Sequence, residues 1–168
     1  YMTHEQLVNW VLTAALYVNA TNDDSWMIRR KAVIKDCLES LLNRDHPDPT
    51  QRDGIMDLES NRCGSSTEIT TYDSLDPSLG RSCRNLYLGL KSWAAYLSLA
   101  WFFRRMKSLG AESIQEADAK EKIAREGADR SSRTILAYYD PQRGYIPALL
   151  DGKDTSRIIP AIEGLIFM

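Results

Sequence analysis

The spacing of apolar residues near the start of the chain predicts two helices of different character. Thr3 and Gln6 have the spacing of a capping box, so the first helix should begin near His4. Residues 7–18 are apolar around almost the whole helical circumference, which predicts an inner helix enclosed by protein. Residues 24–44 predict an outer helix with one apolar side, formed by Met27, Ile34, Leu38 and Leu41.

The same alternation returns later in the chain. Asp76 and Pro77 form a good N-cap and first-turn pair, and residues 86–103 after them are again apolar nearly all round. Residues 112–138 are charged and predict a second outer helix, with a thin apolar stripe of Ile114, Ala117, Ala124, Ala128 and Ile135. A Gly-Tyr turn follows at 144–145. Short segments near 67–72 and 144–150 have some β-like character.

Two successive hairpins, each with an inner and an outer helix, are typical of a double-layered helical ring. We therefore predict an all-α fold in one domain. The period of about 75–80 residues is too long for helical repeats of roughly 34–40 residues, which argues against a simple solenoid. Because the first residue is Tyr1 and residues 158–168 form an apolar run, we expect a piece of a longer protein, with a processed terminus as the alternative.

Composition narrows the class of protein. The 168 residues are 43% hydrophobic and 26% charged, as in an ordinary globular domain. The 21 Lys and Arg against 23 Asp and Glu provide no basic surface for nucleic acid or an anionic membrane, and no apolar run predicts a membrane span. Cys37, Cys63 and Cys83 lack the spacing of a disulfide framework or a zinc site, which favours a cytoplasmic protein without metal or cofactor.

The segment 45–84 holds most of the turn-forming residues, and a connection of this length is usually functional. Since it joins an outer helix to an inner one, it should lie over one mouth of the ring. Its stretch TEITTYDSLDPS (67–78) contains Asp73 and Asp76. Asp76 has a structural explanation as a helix cap. Asp73 lies beside Tyr72, and a carboxyl group next to an aromatic ring at a cavity mouth can act as a general acid.

Five stretches, spread over nearly the whole chain, point to one family. They are YMTHEQLVNWVL (1–12), NRDHPDP (43–49), EITTYDSLDPSLG (68–80), GYIPA (144–148) and IIPAIEGL (158–165). In content and order they resemble the glycoside hydrolase family 52 β-xylosidases. The resemblance implies an (α/α)6 barrel, of which residues 1–168 would be a fragment. It also implies a retaining enzyme that removes xylose from the non-reducing end of β-1,4-xylo-oligosaccharides.

The resemblance makes Asp73, in its TYD element, similar to the general acid/base of the family. A related element in β-glucosidases of similar barrel supports Asp73 over Asp76. Retention needs a second carboxyl group about 5–5.5 Å from the first. The resemblance places this nucleophile, a Glu, upstream of the chain, so the isolated fragment is expected to be inactive. Thr71 and Tyr72 either orient Asp73 by hydrogen bonds or only shape the loop.

Other residues have two interpretations each. The resemblance makes Glu163 a ligand for sugar hydroxyls, whereas a solvent-facing Glu is the alternative. His4 would contact substrate if the hairpins are parallel, because it then faces the same end of the ring as Asp73; the alternative, a capping or surface role, is preferred. Trp10, Trp93 and Trp101 are core residues or sugar-stacking rings, with the core preferred. An acidic group, whose spacing matches no EF-hand loop, comprises Asp45, Asp48, Asp53, Asp57 and Glu59.

Two rival functions stay open. The first is another retaining β-glycosidase on the same barrel, of the β-glucosidase type. The second is a non-catalytic helical interaction module, which would explain the inner and outer helices without any acid. A homo-oligomer of the full-length enzyme is a further expectation. If the rest of the ring is absent, exposed inner-helix surfaces should make the isolated fragment aggregate.

Overall fold

The computed structural model describes residues 3–57 and 84–157, and these residues are mainly helical. The helices of this part of the chain are α1 (His4–Thr21), α2 (Asp24–Arg29), α3 (Lys31–Asp45), α4 (Leu86–Ser108) and α5 (Ile114–Ala137). A short 3₁₀ turn lies at Pro49–Gln51. Pairing of β type within the described ranges is limited to isolated bridges. The all-α prediction is confirmed.

Helix α1 begins as its sequence predicts. The Gln6 backbone N–H donates to Thr3 Oγ1 at 3.2 Å, and the Thr3 backbone N–H donates to Gln6 Oε1 at 3.0 Å. This reciprocal capping box satisfies two amides that a helix start leaves without partners. At the other end Asn22 adopts the left-handed conformation with φ 55°, which Asn tolerates better than most residues.

The helix predicted over 24–44 is divided into α2 and α3. Arg30 leaves the helical conformation with φ −101° and ψ 7°, although its N–H still donates to Met27 O and Trp26 O. The predicted apolar side faces the core, because its four side chains are almost fully buried. These are Met27, Ile34, Leu38 and Leu41.

Two details of the second hairpin differ from prediction. Helix α4 begins at Leu86 with Asn85 as its cap, so the prediction that Asp76 caps this helix was wrong; Asp76 itself lies outside the described residues. Helix α5 begins after Ser113, and Ile114 is 67% exposed instead of joining the apolar stripe. The rest of the stripe is buried, namely Ala117, Ala124, Ala128 and Ile135.

Long-range contacts define the direction of each helix. Ser131 Oγ donates to Gly89 O at one end of the α4–α5 pair, and Lys107 pairs with Asp118 at the other, so these helices are antiparallel. Helices α1 and α4 are parallel, because Glu5 contacts Lys91 and Asn22 contacts Arg105. Helices α3 and α5 are also parallel, as the pairs Lys35–Glu116 and Glu39–Lys120 require. The described chain therefore forms two hairpins in the same orientation.

Burial distinguishes the inner from the outer helices. Helix α4 lies at the centre of the main core, with Tyr96, Phe102 and Phe103 at or below 1% exposure. Helix α1 is buried along the side that faces α4 but leaves Leu16 and Tyr17 46% and 40% exposed. The inner-helix prediction is thus confirmed for α4 and holds only partly for α1. Within the described ranges, none of the helices combines the length and apolar character needed to cross a membrane.

The segment after α5 is hydrogen-bonded to the residues at which α4 begins. The predicted turn at 144–145 is present, with Gly144 at φ 73° and the Asp140 N–H donating to Tyr145 O at 3.0 Å. Further along, Ala148 O accepts from Leu86 N at 2.8 Å, beside an isolated bridge between Asn85 and Leu149. The β-like character expected at 144–150 amounts to such bridges. The segment 67–72 lies outside the described residues.

Candidate functional site

The predicted site residues fall in two groups. Asp73, Thr71, Tyr72 and Glu163 lie outside the described residues, so their roles stay predictions. His4 is described and lies in the first turn of α1. Because α1 and α4 are parallel, this turn lies beside the first turns of α4. The condition under which His4 was expected to face one common end of the hairpins is therefore met.

Polar side chains fill the space between the first turns of α1 and α4. We call Glu5, Asn9, Tyr87 and Lys91 the α1–α4 polar cluster. Lys91 Nζ donates to Glu5 Oε1 at 3.2 Å, to Asn9 Oδ1 at 3.1 Å and to Tyr87 Oη at 2.5 Å. Tyr87 Oη in turn donates to Glu5 Oε1 at 2.7 Å. The cluster joins α1 to α4 through charged as well as neutral groups.

The cluster contains a buried ion pair. Glu5 is 7% exposed and Lys91 is 3% exposed, so both charges have lost most of their hydration. Such burial is tolerated only when the charges are paired and hydrogen-bonded, and the three N–H groups of the Lys91 ammonium have three acceptors here. Carboxylate, ammonium, phenol and amide groups are also the donors and acceptors that match sugar hydroxyls.

His4 adjoins this cluster on the neighbouring position of α1. Its side chain is 1% exposed, so the alternative of a surface role was wrong. Nε2 lies 2.8 Å from Ser92 Oγ on α4, whereas Nδ1 has no hydrogen-bond partner among residues 3–57 and 84–157 and is shielded from solvent. Burial, reinforced by the positive charge of Arg44, lowers the pKa of His4 to about 3, with Glu5 acting in the opposite direction. His4 is therefore neutral at physiological pH.

The described members of the acidic group accept from backbone N–H groups or pair with Arg84. Asp45 is buried and accepts from the N–H groups of Asp53 and Gly54 at 3.0 and 2.8 Å. Burial raises its pKa, and these two hydrogen bonds oppose the rise. Asp53 pairs with Arg84 at 2.6 Å. Within residues 3–57 and 84–157, no group of three or more His, Cys, Asp or Glu side chains is arranged to hold a metal ion.

The tryptophans pack against the main core without being fully enclosed. Trp93 and Trp101 on α4 are half-buried, as is Trp10 on α1. Trp10 stacks on Trp26 with ring centroids 6.2 Å apart, and Tyr17 meets Trp26 edge-on at 5.4 Å. Together with Thr13 and Ala14 these rings line an open groove of about 270 Å³. The core interpretation is supported, with an aromatic groove left on the outside of α1.

Sequence reasoning did not identify Asn9, Tyr87, Lys91 and Ser92 as parts of one polar site. Lys91 and Ser92 interrupt an otherwise apolar helix, and a charged residue on a helix apolar nearly all round must find a buried partner. That signal indicates a buried polar contact. It does not reveal the partner, because Glu5 lies 86 residues earlier in the chain.

Comparison with known proteins yields two curated relatives, both named β-xylosidase and both from Geobacillus stearothermophilus. One is 49% identical over 167 residues, which is 99% of this chain. The other is 43% identical over 106 residues, or 62% of this chain. The chain is similar to part of a β-xylosidase. It spans 22% of the length of the first relative, and the aligned part covers 17% of the second. No protein-family model matches the chain.

Proposed function

We propose that this chain is the part of a retaining exo-β-xylosidase that supplies its general acid/base, Asp73. The observation that carries the proposal is the 49% identity to a curated β-xylosidase over 99% of the chain. The TYD element, residues 71–73, lies within the 167 aligned residues. The substrate would be a β-1,4-xylo-oligosaccharide, cleaved at its non-reducing end. The family would be glycoside hydrolase family 52.

The arrangement of the helices supports a barrel. Two hairpins in the same orientation, with α1 and α4 parallel on the inside, are what consecutive units of an (α/α)6 barrel would present. Helix α1 also carries the aromatic groove, an apolar surface that further helices would cover. We propose that residues 1–168 are one part of such a catalytic domain, which would be cytoplasmic and could assemble as a homo-oligomer.

The proposed chemistry gives Asp73 two successive tasks. As an acid it donates its proton to the glycosidic oxygen while a Glu outside this chain attacks the anomeric carbon, so that the sugar–oxygen bond breaks and a xylosyl ester forms. As a base it then takes a proton from water, whose oxygen attacks the same carbon and releases the Glu carboxylate. Asp73 regains its proton and the cycle closes. The isolated chain would lack the nucleophile and be inactive.

Four further residues have proposed roles in binding. Thr71 and Tyr72 would orient Asp73 through hydrogen bonds, and Glu163 would accept from sugar hydroxyls. His4 would contact the sugar from the first turn of α1. Its neutrality, and the lack of a donor to Nδ1 among the described residues, support this role, since a neutral acceptor gains from an O–H donor.

The test is Asp73→Gly in the complete enzyme, with activity measured on xylosides of poor and good leaving groups. Loss of the acid should reduce hydrolysis of poor leaving groups far more, because good ones depart without protonation. Added azide should restore part of the turnover by attacking the xylosyl ester in place of activated water. Rates on the corresponding glucosides distinguish a xylosidase from a β-glucosidase.

Asp76→Asn is the matched control, since it alters a carboxylate three residues away in the sequence. It should leave the leaving-group dependence unchanged and give no response to azide. Equal rates for Asp73→Gly and the unmodified enzyme on every substrate would remove Asp73 from the mechanism.

A further inference from the structure

Ser92 connects His4 to the backbone of α4 and limits how the imidazole can be protonated. Ser92 is 2% exposed, and its Oγ lies 2.8 Å from Leu88 O, one turn earlier in the same helix. A carbonyl oxygen only accepts, so the single hydroxyl proton of Ser92 is used in this bond. Oγ must then act as an acceptor toward His4 Nε2, also at 2.8 Å. Both bonds form together only when Nε2 carries the proton.

The opposite tautomer would lose one of these bonds. With the proton on Nδ1, Nε2 could only accept, and Ser92 would have to abandon Leu88 O to donate to it. The result is one hydrogen bond in place of two and a buried N–H without an acceptor. A net hydrogen bond contributes about 0.5–1.5 kcal/mol, which favours the Nε2–H tautomer about two- to tenfold.

The neutral state of His4 completes the assignment of its tautomer. Desolvation and the nearby Arg44 lower the pKa of His4 to about 3, so the imidazole carries one proton rather than two at neutral pH. With that proton on Nε2, Nδ1 is an unprotonated acceptor. It has no donor in the described part of the chain and is closed off from bulk solvent. A buried acceptor left in this state loses free energy that a bound donor would recover.

We propose that Ser92 is a positioning residue that holds His4 as the Nε2–H tautomer and so keeps Nδ1 as an unprotonated acceptor for an O–H donor, either a hydroxyl group of the bound sugar or an enclosed water. The part that concerns the sugar rests on the proposed function. The part that concerns the tautomer depends only on the contacts of His4 and Ser92. A hydroxyl donor from an enclosed water has the same chemistry, and the experiment separates the two sources.

The tautomer is measured by NMR of the complete protein labelled with ¹⁵N in the histidine rings. The His4 signals are identified by their loss in His4→Gln. In the unmodified protein, without ligand, His4 should show a protonated Nε2 and an unprotonated Nδ1 between pH 6 and 8. Ser92→Ala should raise the proportion of the Nδ1–H form by about two- to tenfold, and Ser92→Thr, which keeps the hydroxyl, should restore the original pattern.

Ser131→Ala is the matched control. Ser131 is also fully buried and also donates to a carbonyl of α4, that of Gly89 at 3.3 Å, but it lies on α5 away from His4. Its removal should leave the His4 signals unchanged. A proton on Nδ1 in the unmodified protein, or the same tautomer ratio in Ser92→Ala, would overturn the role of Ser92 whatever the enzyme does.

The sugar is tested by adding xylose or xylobiose and by kinetics. Accepting a sugar hydroxyl should shift the Nδ1 resonance in proportion to occupancy. Ser92→Ala should raise KM for a xyloside about two- to tenfold with little change in kcat, because the bond is present in both the bound substrate and the transition state. An Nδ1 signal that does not respond to sugar, as expected for an enclosed water, would overturn the sugar contact. Absence of any xyloside hydrolysis in the unmodified enzyme would instead count against the proposed function.

Discussion

The contact between α4 and α5 can be tested at a single helical glycine. A Cβ atom at Gly127 would lie 2.7 Å from both Cδ1 and Cε1 of Tyr96 and 2.9 Å from its Cζ. Tyr96 is 1% exposed and packed in the main core, so its ring has no open space to enter. Gly127→Ala therefore forces α4 and α5 apart or moves a buried ring.

Two opposing effects set the size of the change. Replacing Gly by Ala within a helix stabilises it by about 0.5–1 kcal/mol. Overpacking a well-packed core costs about 1–3 kcal/mol, and three ring atoms below 3.0 Å place this site in the upper part of that range. We expect Gly127→Ala to lower the free energy of unfolding by about 1–2 kcal/mol.

Gly89→Ala on α4 is the matched comparison. Its Cβ would meet Ile55 Cδ1 at 3.1 Å, so the end of this buried side chain has to yield by only a few tenths of an ångström, far less than the Tyr96 ring at Gly127. Hydrogen exchange of amides in α4 and α5 measures both variants, and Gly127→Ala should be less stable than Gly89→Ala by about 1–3 kcal/mol. Combining Tyr96→Leu with Gly127→Ala should relieve part of the overpacking, because the smaller side chain makes room for the added methyl group. Equal protection in the two single variants would refute the packing argument.

Two predictions follow from shifted pKa values. The pKa of His4 is about 3 in the folded protein and near its ordinary 6.5 when unfolded, so the unfolded state binds more protons below pH 6.5 and stability should fall as pH drops from about 6.5 toward 3. His4→Gln should make the unfolding midpoint depend less on pH in this range. If NMR shows that the His4 ring titrates near its ordinary pKa, the prediction is contradicted. Burial raises the pKa of Cys37 to about 11, so its alkylation at pH 8 should be much slower than in urea; equal rates would contradict that.

Local sequence signals correctly predicted those features of the helices that depend on residues close together in the chain. The capping box of Thr3 and Gln6 and the buried side of 24–44 depend on residues within a few turns, and the structure contains both. The interruption at Arg30 carries no Gly or Pro, so nothing in the composition indicated it. Ile114 fitted the spacing of the α5 stripe, but it is the first residue of the helix and is 67% exposed.

The candidate site was predictable only in outline. An end shared by parallel inner helices was expected, and His4 lies there. Its burial was not expected, because a polar residue in the first turn of a helix is ordinarily a surface residue. The burial follows from the placement of α4 against that turn. Asp73, Thr71, Tyr72 and Glu163 stay predictions from the sequence, since they lie outside the described residues.

The sequence by itself determined the all-α class, where α1 begins and most of the apolar side of each outer helix. These properties come from periodicity and capping, which act between residues only a few positions apart. Only the tertiary structure decided that Glu5 and Lys91 share one buried cluster and that Ser92 meets His4. Such pairs depend on the direction in which two helices pack. No local pattern encodes that direction, because many pairings bury the same apolar surface.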